Sequence, residues 1–215
     1  MTSKRGRPPN SEAGGVSNAL LDATFALLRI KSHVDITMGE VAKIAGTQPS
    51  MIRYYFGDKD GLLAAVSDVL ARHTDEKMAE VERSFDPTKG AAGPIIRALV
   101  EIYYNPPLYE AGSIMVIEAL RPNSVLIGNF RSRTAKKTVV RMMRMIRSCV
   151  ANGRYHYDLN IPTAILSIMS LTTGPMACAP MFEAGQNGTA FDQETWINDA
   201  SLMLEHAFGR DTNHR

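Results

Sequence analysis

Hydrophobic residues recur at helical spacing along almost the whole chain. Near the N-terminus, Leu20, Leu21, Phe25 and Leu28 lie on one face when the segment is drawn as an α-helix. Runs of alternating β-branched residues, which are typical of strands, are absent, and the sequence contains no internal repeat. The pattern therefore predicts an all-α fold.

Capping residues and helix breakers divide the N-terminal part of this pattern. We expect a first helix over residues 16–30. Thr37 is followed by Glu40 in the capping-box arrangement, in which each side chain accepts a hydrogen bond from a free backbone N–H of the other residue. This arrangement predicts a short second helix over 38–44, and Gly46 supplies the left-handed turn that ends it.

A third short helix and a long fourth helix follow. Pro49 fits the first turn of a helix, where its missing N–H costs nothing, and predicts a helix from about 48 to 55. Asp58 can cap a long helix from 59 to about 85. This arrangement matches a helix-turn-helix DNA-binding unit, in which two short helices are joined by a tight turn and supported by a preceding helix.

The third helix is predicted to have an inner and an outer face. Val41, Ala42 and Ala45 of the second helix are expected to face Ile52 and Phe56. Polar and aromatic side chains then project outward, and on a helix narrow enough for the major groove they can reach base edges and phosphates. These outward residues are Thr47, Gln48, Ser50, Arg53 and Tyr54.

The residues of this unit resemble a known family. The segments at 20–23 (LLDA), 37–42 (TMGEVA), 45–46 (AG) and 51–63 (MIRYYFGDKDGLL) resemble the DNA-binding domain of the tetracycline-repressor (TetR) family. The match covers residues 16–63, and its most specific part is the pattern YYFxxKxxLL. The rest of the chain resembles the family in length and helical character alone.

The resemblance implies DNA contacts at matching positions. Thr37 and Lys59, which start the second and fourth helices, are expected to contact phosphates, where free N–H groups and the Lys59 charge favour an anion. The Arg53 guanidinium can donate bidentate hydrogen bonds to guanine O6 and N7. The expected groove-facing positions are Gln48, Pro49, Ser50, Arg53 and Tyr54. The sequence departs from the usual family residues at Ser32, His33, Gln48 and Arg53. The resemblance therefore does not imply which bases this protein recognises.

The first residues carry a separate basic motif. Lys4 precedes an Arg-Gly-Arg-Pro core, formed by Arg5, Gly6, Arg7 and Pro8, that is like the core of an AT-hook and suits a narrow minor groove. We expect residues 1–15 to form a flexible basic arm that touches DNA, with a flexible solubilising tail as the alternative.

The remaining residues, 64–215, are expected to form a helical effector-binding and dimerisation domain. This region is rich in methionine, which fills irregular cores and also lines adaptable cavities. The resemblance implies an unknown small-molecule effector, and the candidate pocket residues are Tyr103, Tyr104, Met115, Glu118, Met142 and Met169. Packing of an ordinary core is the alternative reading of the methionines.

Two long C-terminal helices are predicted at about 160–182 and 191–208. Gly174 and Pro175 are expected to kink or divide the first of them. Its small residues would let another helix approach closely. The resemblance implies a homodimer built from these two helices, since a two-fold protein matches a palindromic operator on double-stranded DNA.

The basic residues in the second half of the chain are unevenly distributed. From Ala119 to Tyr157 the sequence contains lysines and arginines but no Asp or Glu. Within it, Val139, Met142, Met143 and Ile146 recur at helical spacing, so we expect an amphipathic helix with a solvated basic face. An anionic effector or an acidic lipid surface attracted to that face is the alternative.

Composition narrows the classes of protein to which the chain can belong. With 45% hydrophobic and 21% charged residues and no apolar run of the ~20 residues needed to span a bilayer, the chain is expected to be cytoplasmic. Cys149 and Cys178 are expected to be reduced core residues. Histidine spacing gives no metal site, and no cofactor is expected.

These observations favour a DNA-binding transcriptional regulator, a repressor released from a palindromic operator by a small molecule. A constitutive or architectural DNA-binding protein is the main alternative. An enzyme using Cys149, Cys178 or Glu118 is the other, but no phosphate loop or nucleophile motif supports it.

Overall fold

The computed structural model describes residues 10–104, 128, 136–185 and 192–209. Within these ranges the regular structure is helical, with one isolated bridge between Tyr155 and Gly209. The predicted all-α class is confirmed. The helices are α1 (Asn10–Leu28), α2 (Met38–Ile44), α3 (Pro49–Phe56), α4 (Lys59–Ser84), α5 (Ala92–Tyr104), α6 (Lys136–Ala151), α7 (Ile161–Gly185) and α8 (Gln193–Phe208), with a 3₁₀ turn at His33–Asp35.

Helices α1, α2 and α3 and the start of α4 enclose the N-terminal core. Leu20, Val41, Ile52 and Leu62 are completely or almost completely buried there. Ala42 is also buried, and Ala45 and Phe56 pack against the same cluster. The predicted inner faces of α2 and α3 are therefore confirmed.

Local capping signals set the N-terminal boundaries of α2 and α4. Asp58 caps α4 by accepting a 2.8 Å hydrogen bond from the Gly61 N–H. Gly57, between α3 and α4, has a φ of 83°, a conformation that other residues rarely adopt. Helices α2 and α4 begin where the caps predict.

Helix α1 begins earlier than expected, at Asn10, and continues through Gly14 and Gly15. Pro8 and Pro9 precede it in the sequence, and a residue before proline avoids the helical region, so the first favourable start is directly after Pro9. The two glycines weaken a helix without ending it when nothing downstream breaks the pattern.

The C-terminal helices pack around α5. Helix α5 contacts α4, α7 and α8, while α6 packs against α4 and α7. Ile95, Ile96 and Ile102 of α5 are buried, as are Met145 and Ile146 of α6. Helix α4 therefore belongs to both packed units, because it starts in the N-terminal core and runs beside α5 and α6.

The helix was expected to kink or divide at Gly174 and Pro175, and α7 does not divide there, because it is continuous from Ile161 to Gly185. Proline at this position removes the N–H that would bond the Leu171 carbonyl four residues earlier. The Trp196 Nε1–H of α8 donates to that Leu171 oxygen at 3.0 Å instead. A tertiary hydrogen bond thus satisfies the carbonyl that the proline leaves open.

The two cysteines differ in environment. Cys149 is buried in α6, and burial raises the pKa of its thiol to about 12. Cys178 lies exposed on α7, so its assignment to the core is wrong. None of the helices in the described ranges combines the length and apolar character needed to cross a bilayer.

Candidate nucleic-acid interface and internal cavity

The outer side of α3 forms a continuous exposed surface, which we call the reading face. Its residues are Gln48, Pro49, Ser50, Arg53 and Tyr54, all exposed, with half-buried Thr47 beside them. The Tyr54 ring is 60% exposed and meets Tyr55 edge to face, with ring centroids 4.9 Å apart. That contact supports the Tyr54 ring from one side while most of the residue stays exposed.

The turn between α2 and α3 fixes the orientation of the reading face. Gly46 has a φ of 66°, and the Thr47 N–H donates to the Ala42 carbonyl at 2.9 Å. This hydrogen bond spans the end of α2 in the manner of a helix C-cap. Buried Ile52 then anchors the inner side of α3.

Thr37 forms the capping box that its sequence predicts. Its hydroxyl accepts from the Glu40 N–H at 3.3 Å and donates to the Glu40 carboxylate at 2.8 Å, while the Thr37 N–H donates to the same carboxylate at 2.9 Å. A DNA phosphate at Thr37 would therefore compete with Glu40 for these donors. The N–H groups of Met38 and Gly39, which have no intrahelical acceptor in the first turn of α2, are the simpler phosphate donors.

Lys31 offsets the charge of Glu40. Its ammonium lies 2.5 Å from Glu40 Oε1. Hydrogen bonds from Lys31 and from the Thr37 hydroxyl and N–H hold the pKa of the Glu40 carboxyl at about 2. Sequence reasoning missed Lys31, because the pair depends on how the 3₁₀ turn brings α1 and α2 together.

Lys59 lies at the start of α4, close to the turn before α2. Its Nζ donates a 2.9 Å hydrogen bond to the Val34 carbonyl oxygen. Two of its three ammonium hydrogens are left for other acceptors, such as a phosphate. The predicted arm residues Lys4, Arg5 and Arg7 lie outside the described residues.

A partly open cavity of about 50 Å³ lies between α4, α5, α6 and α7. Three of the predicted pocket residues, Tyr103, Met142 and Met169, line it. Met115, Glu118 and the Tyr104 side chain lie outside the described residues. Burial raises the pKa of the Tyr103 phenol to about 12, so this group is neutral at physiological pH.

Sequence reasoning missed the threonines of this cavity. Thr74, Thr138, Thr172 and Thr173 all contribute to its wall. Their position follows from helix packing, and the only sequence signal is the helical spacing of Thr172 and Thr173 from Met169.

The basic face of α6 is in part an ion-paired surface. Arg141 contacts Asp75 at 3.1 Å and Glu82 at 2.5 Å, and Arg144 contacts Glu82 at 2.7 Å. Arg144 and Arg141 lower the pKa of the Glu82 carboxyl. Arg144 is 54% exposed, as a solvated face requires, whereas Arg141 is only 24% exposed and lies between the acids that α4 supplies.

Large apolar side chains remain exposed on the last two helices. Leu166 and Met169 of α7 are 64% and 40% exposed, and Leu202 and Met203 of α8 are 58% and 52% exposed. A Cβ atom at Gly174 would have no contact within 4 Å among the described residues, apart from its chain neighbours and the backbone of its own helix. We call the four residues Leu166, Met169, Leu202 and Met203 the α7–α8 face.

Comparison with known proteins identifies relatives of the same architecture. The chain is 27% identical over 190 residues to the HTH-type transcriptional repressor LfrR of Mycolicibacterium smegmatis, and the match covers 77% of this chain and 95% of that repressor. No protein-family model matches the chain.

Solved structures give the same fold. FadR from Bacillus subtilis, a transcriptional regulator solved in complex with stearoyl-CoA, superposes with a TM-score of 0.69 at 14% identity, covering 87% of this chain and 96% of that one. A TetR family transcription regulator from Marinobacter aquaeolei gives 0.65 at 16% identity, covering 94% and 99%. The capped α2, the Gly46 turn and the reading face agree with this likeness. The chain therefore shares the fold of solved TetR-family regulators and is similar in sequence to an HTH-type transcriptional repressor.

Proposed function

We propose that this protein is a cytoplasmic transcriptional repressor that binds a palindromic DNA operator as a homodimer and leaves it when a small molecule binds. The observation that carries the proposal is the reading face. Arg53, Ser50 and Tyr54 are exposed together on a short helix whose other side is anchored by buried Ile52. A rigidly held helix that presents a bidentate guanidinium donor and hydroxyl groups is suited to binding in the major groove.

Phosphate donors flank the reading face. The N-terminus of α2 offers backbone N–H groups, and Lys59 offers a charge at the start of α4. Phosphate contacts fix the register of a protein on the duplex, whereas base contacts give the specificity. This division supports sequence-selective binding over purely architectural binding.

The test is a selection of bound sequences from random duplex DNA, followed by affinity measurements at two salt concentrations. We expect a palindromic consensus with half-sites about one helical turn, ~34 Å, apart. The variant Arg53→Ala should lose discrimination at one base pair per half-site by about 1–3 kcal/mol. Arg83→Ala, which removes an exposed arginine from the last turn of α4, is the matched control and should bind like wild type.

Binding without a consensus, indifferent to Arg53 and steeply dependent on salt, would contradict the proposal. That outcome would favour an architectural DNA-binding protein, whose affinity comes from phosphate contacts alone.

The α7–α8 face supports the homodimer. Four large apolar residues that are 40–64% exposed within one chain are costly to leave in water. A second copy of the same face would cover them by two-fold symmetry. Such a dimer matches the symmetry of a palindromic operator.

Helix α4 supports the release step. It begins at Lys59 beside the N-terminal core, contributes Thr74 to the cavity wall, and holds Arg141 of α6 through Asp75 and Glu82. A ligand that changes the packing of α6 on α4 would therefore bias the spacing of the two reading faces. The release is limited by the differential affinity of the ligand for the two spacings. It is measured as a loss of operator affinity on addition of a ligand.

A further inference from the structure

The described residues that line the cavity between α4, α5, α6 and α7 carry no charge. Among the described residues its wall consists of threonine hydroxyls, one tyrosine and apolar side chains such as Leu99 and Val139. A charged group that entered this space would lose its hydration without gaining a counter-ion. The nearby Arg141 does not supply one, because its guanidinium is already paired with Asp75 and Glu82.

Three of the four threonine hydroxyls in the wall are already satisfied. Thr74 donates to Leu70 at 2.9 Å, Thr172 to Ile168 at 2.8 Å, and Thr173 to Met169 at 2.9 Å. Each acceptor is the carbonyl four residues earlier in the same helix, which is the usual partner of a helical threonine hydroxyl.

Thr138 is the exception. The residue is 7% exposed, and within the part of the chain that the structure describes its hydroxyl has no hydrogen-bond partner. Buried hydroxyl groups without a partner are rare because they forfeit their hydrogen bonds to water. A hydroxyl that is buried, unsatisfied and placed in a cavity wall is a preformed contact for an incoming polar atom.

We propose that this cavity binds a small uncharged molecule with an apolar body and a single hydroxyl or carbonyl oxygen, and that this oxygen hydrogen-bonds to the Thr138 hydroxyl. The inference rests on the proposed function, since it names the class of effector for that site. It excludes carboxylates and ammonium groups from the interior of the cavity.

The size of the cavity requires methionine side chains to move. Its volume of about 50 Å³ is far below the ~300–1,000 Å³ of typical ligand pockets. Met142 is buried in the wall, and Met169 is 40% exposed. Methionine has three rotatable bonds and repacks readily, so these two side chains can make room for a ligand of several heavy atoms.

The first experiment compares four eight-carbon probes by calorimetry on the full-length protein without DNA. The neutral probes are 1-octanol and 2-octanone, and the charged probes are octanoate and octylammonium. The neutral probes should bind at least tenfold more tightly. The single Trp196 gives a second readout, because its indole bonds Leu171 beside the cavity residue Thr172.

The second experiment removes individual hydroxyl groups. Thr138→Val should weaken both neutral probes about fivefold, the effect of one lost hydrogen bond, while Thr138→Ser keeps the hydroxyl and should retain binding. Thr172→Val is the matched control, since it removes a hydroxyl that is already bonded within its own helix, and should leave probe affinity within twofold of wild type.

Several results would overturn the inference: octanoate or octylammonium binding as tightly as 1-octanol, no binding of either neutral probe, or equal losses in Thr138→Val and Thr172→Val. The last two would mean that the cavity holds only a buried water or is plain packing space. Because these measurements contain no DNA, such a failure leaves the operator experiment with Arg53→Ala to decide the proposed function independently.

Discussion

The Lys59 ammonium donates a 2.9 Å hydrogen bond to the Val34 carbonyl oxygen and thereby ties the start of α4 to the turn that precedes α2. The same ammonium has hydrogens free for a phosphate. A movement of α4 would therefore shift any phosphate bound at Lys59 together with the turn that leads into α2. This contact is the structural basis of the first prediction.

Lys59→Ala should weaken DNA binding by a similar factor at every sequence. It should also reduce the slope of log affinity against log salt concentration by about 0.9, the value for one phosphate contact. Lys59→Arg, which keeps the charge, should retain the slope. Fluorescence anisotropy at several salt concentrations measures both quantities.

The control for Lys59 is Lys89→Ala, which removes a lysine that is 82% exposed in the connection between α4 and α5. It should leave the salt slope unchanged. If Lys59→Ala also kept the wild-type slope, Lys59 would be a structural tie to Val34 alone.

Glu40 predicts a pH-dependent contribution to folding. The pKa of its carboxyl is about 2 in the folded chain, below the ~4.3 of an unfolded chain. The ionised carboxylate therefore stabilises the fold fully above about pH 4.3, and this contribution is lost as the pH falls towards 2. Glu40→Gln should lower the thermal midpoint at pH 7, and its difference from wild type should shrink between pH 5 and pH 3.

Thermal unfolding followed by circular dichroism at several pH values tests this expectation. Glu80→Gln is the control, because Glu80 is 64% exposed and its contact with Lys77 is longer, at 3.6 Å. It should change the midpoint less at every pH. A Glu40→Gln difference that stays constant from pH 7 to pH 3 would show that the charge of the carboxylate is not the source of the stability.

Tyr155 supports the start of α5. Its buried hydroxyl accepts from the Ala91 N–H at 2.6 Å and donates to Glu205 of α8 at 2.8 Å, and burial raises the pKa of its phenol. Tyr155→Phe leaves both partners short of a hydrogen bond in a poorly hydrated region. The change should lower the free energy of unfolding by about 1–3 kcal/mol.

Chemical denaturation at fixed protein concentration measures this loss. Tyr157→Phe makes the same chemical change at a side chain that is 81% exposed, and should have almost no effect. Equal effects of the two substitutions would mean that the hydroxyl of Tyr155 contributes nothing beyond its ring.

The N-terminal half could be predicted because its signals are local. Thr37, Gly46 and Asp58 each act within about one helical turn, so the boundaries of α2 and the start of α4 follow from the sequence alone. The start of α1 was misplaced since Gly14 and Gly15 resemble a break, although a helix tolerates them at a modest cost.

Long-range contacts explain what the sequence left unpredicted. The continuity of α7 depends on Trp196 bonding the Leu171 carbonyl, and the pairing of Arg141 depends on Glu82 of α4. The partners in each pair are far apart in the chain, and no periodicity connects them. That the buried Thr138 hydroxyl has no hydrogen-bond partner among the described residues can be recognised only when its neighbours in the cavity wall are known.

The α7–α8 face gives the last prediction. Leu202 is 58% exposed near the middle of α8, and a charge at this position would have to be buried in a symmetric dimer without a partner. Leu202→Arg should therefore convert the protein to a monomer and sharply weaken its binding to a full palindrome, while the helical content of each chain stays unchanged. Sedimentation velocity and circular dichroism measure the two properties.

Val140→Arg is the matched control for Leu202→Arg, because it places the same side chain at a 41% exposed position on α6, outside the α7–α8 face. This variant should remain a dimer. If Leu202→Arg also sediments as a dimer with unchanged operator affinity, the two chains associate through another surface, and the exposed residues of the α7–α8 face need a different partner. If it is a monomer that still binds a half-site weakly, the reading face acts independently of dimerisation, and the dimer contributes affinity by joining two such faces.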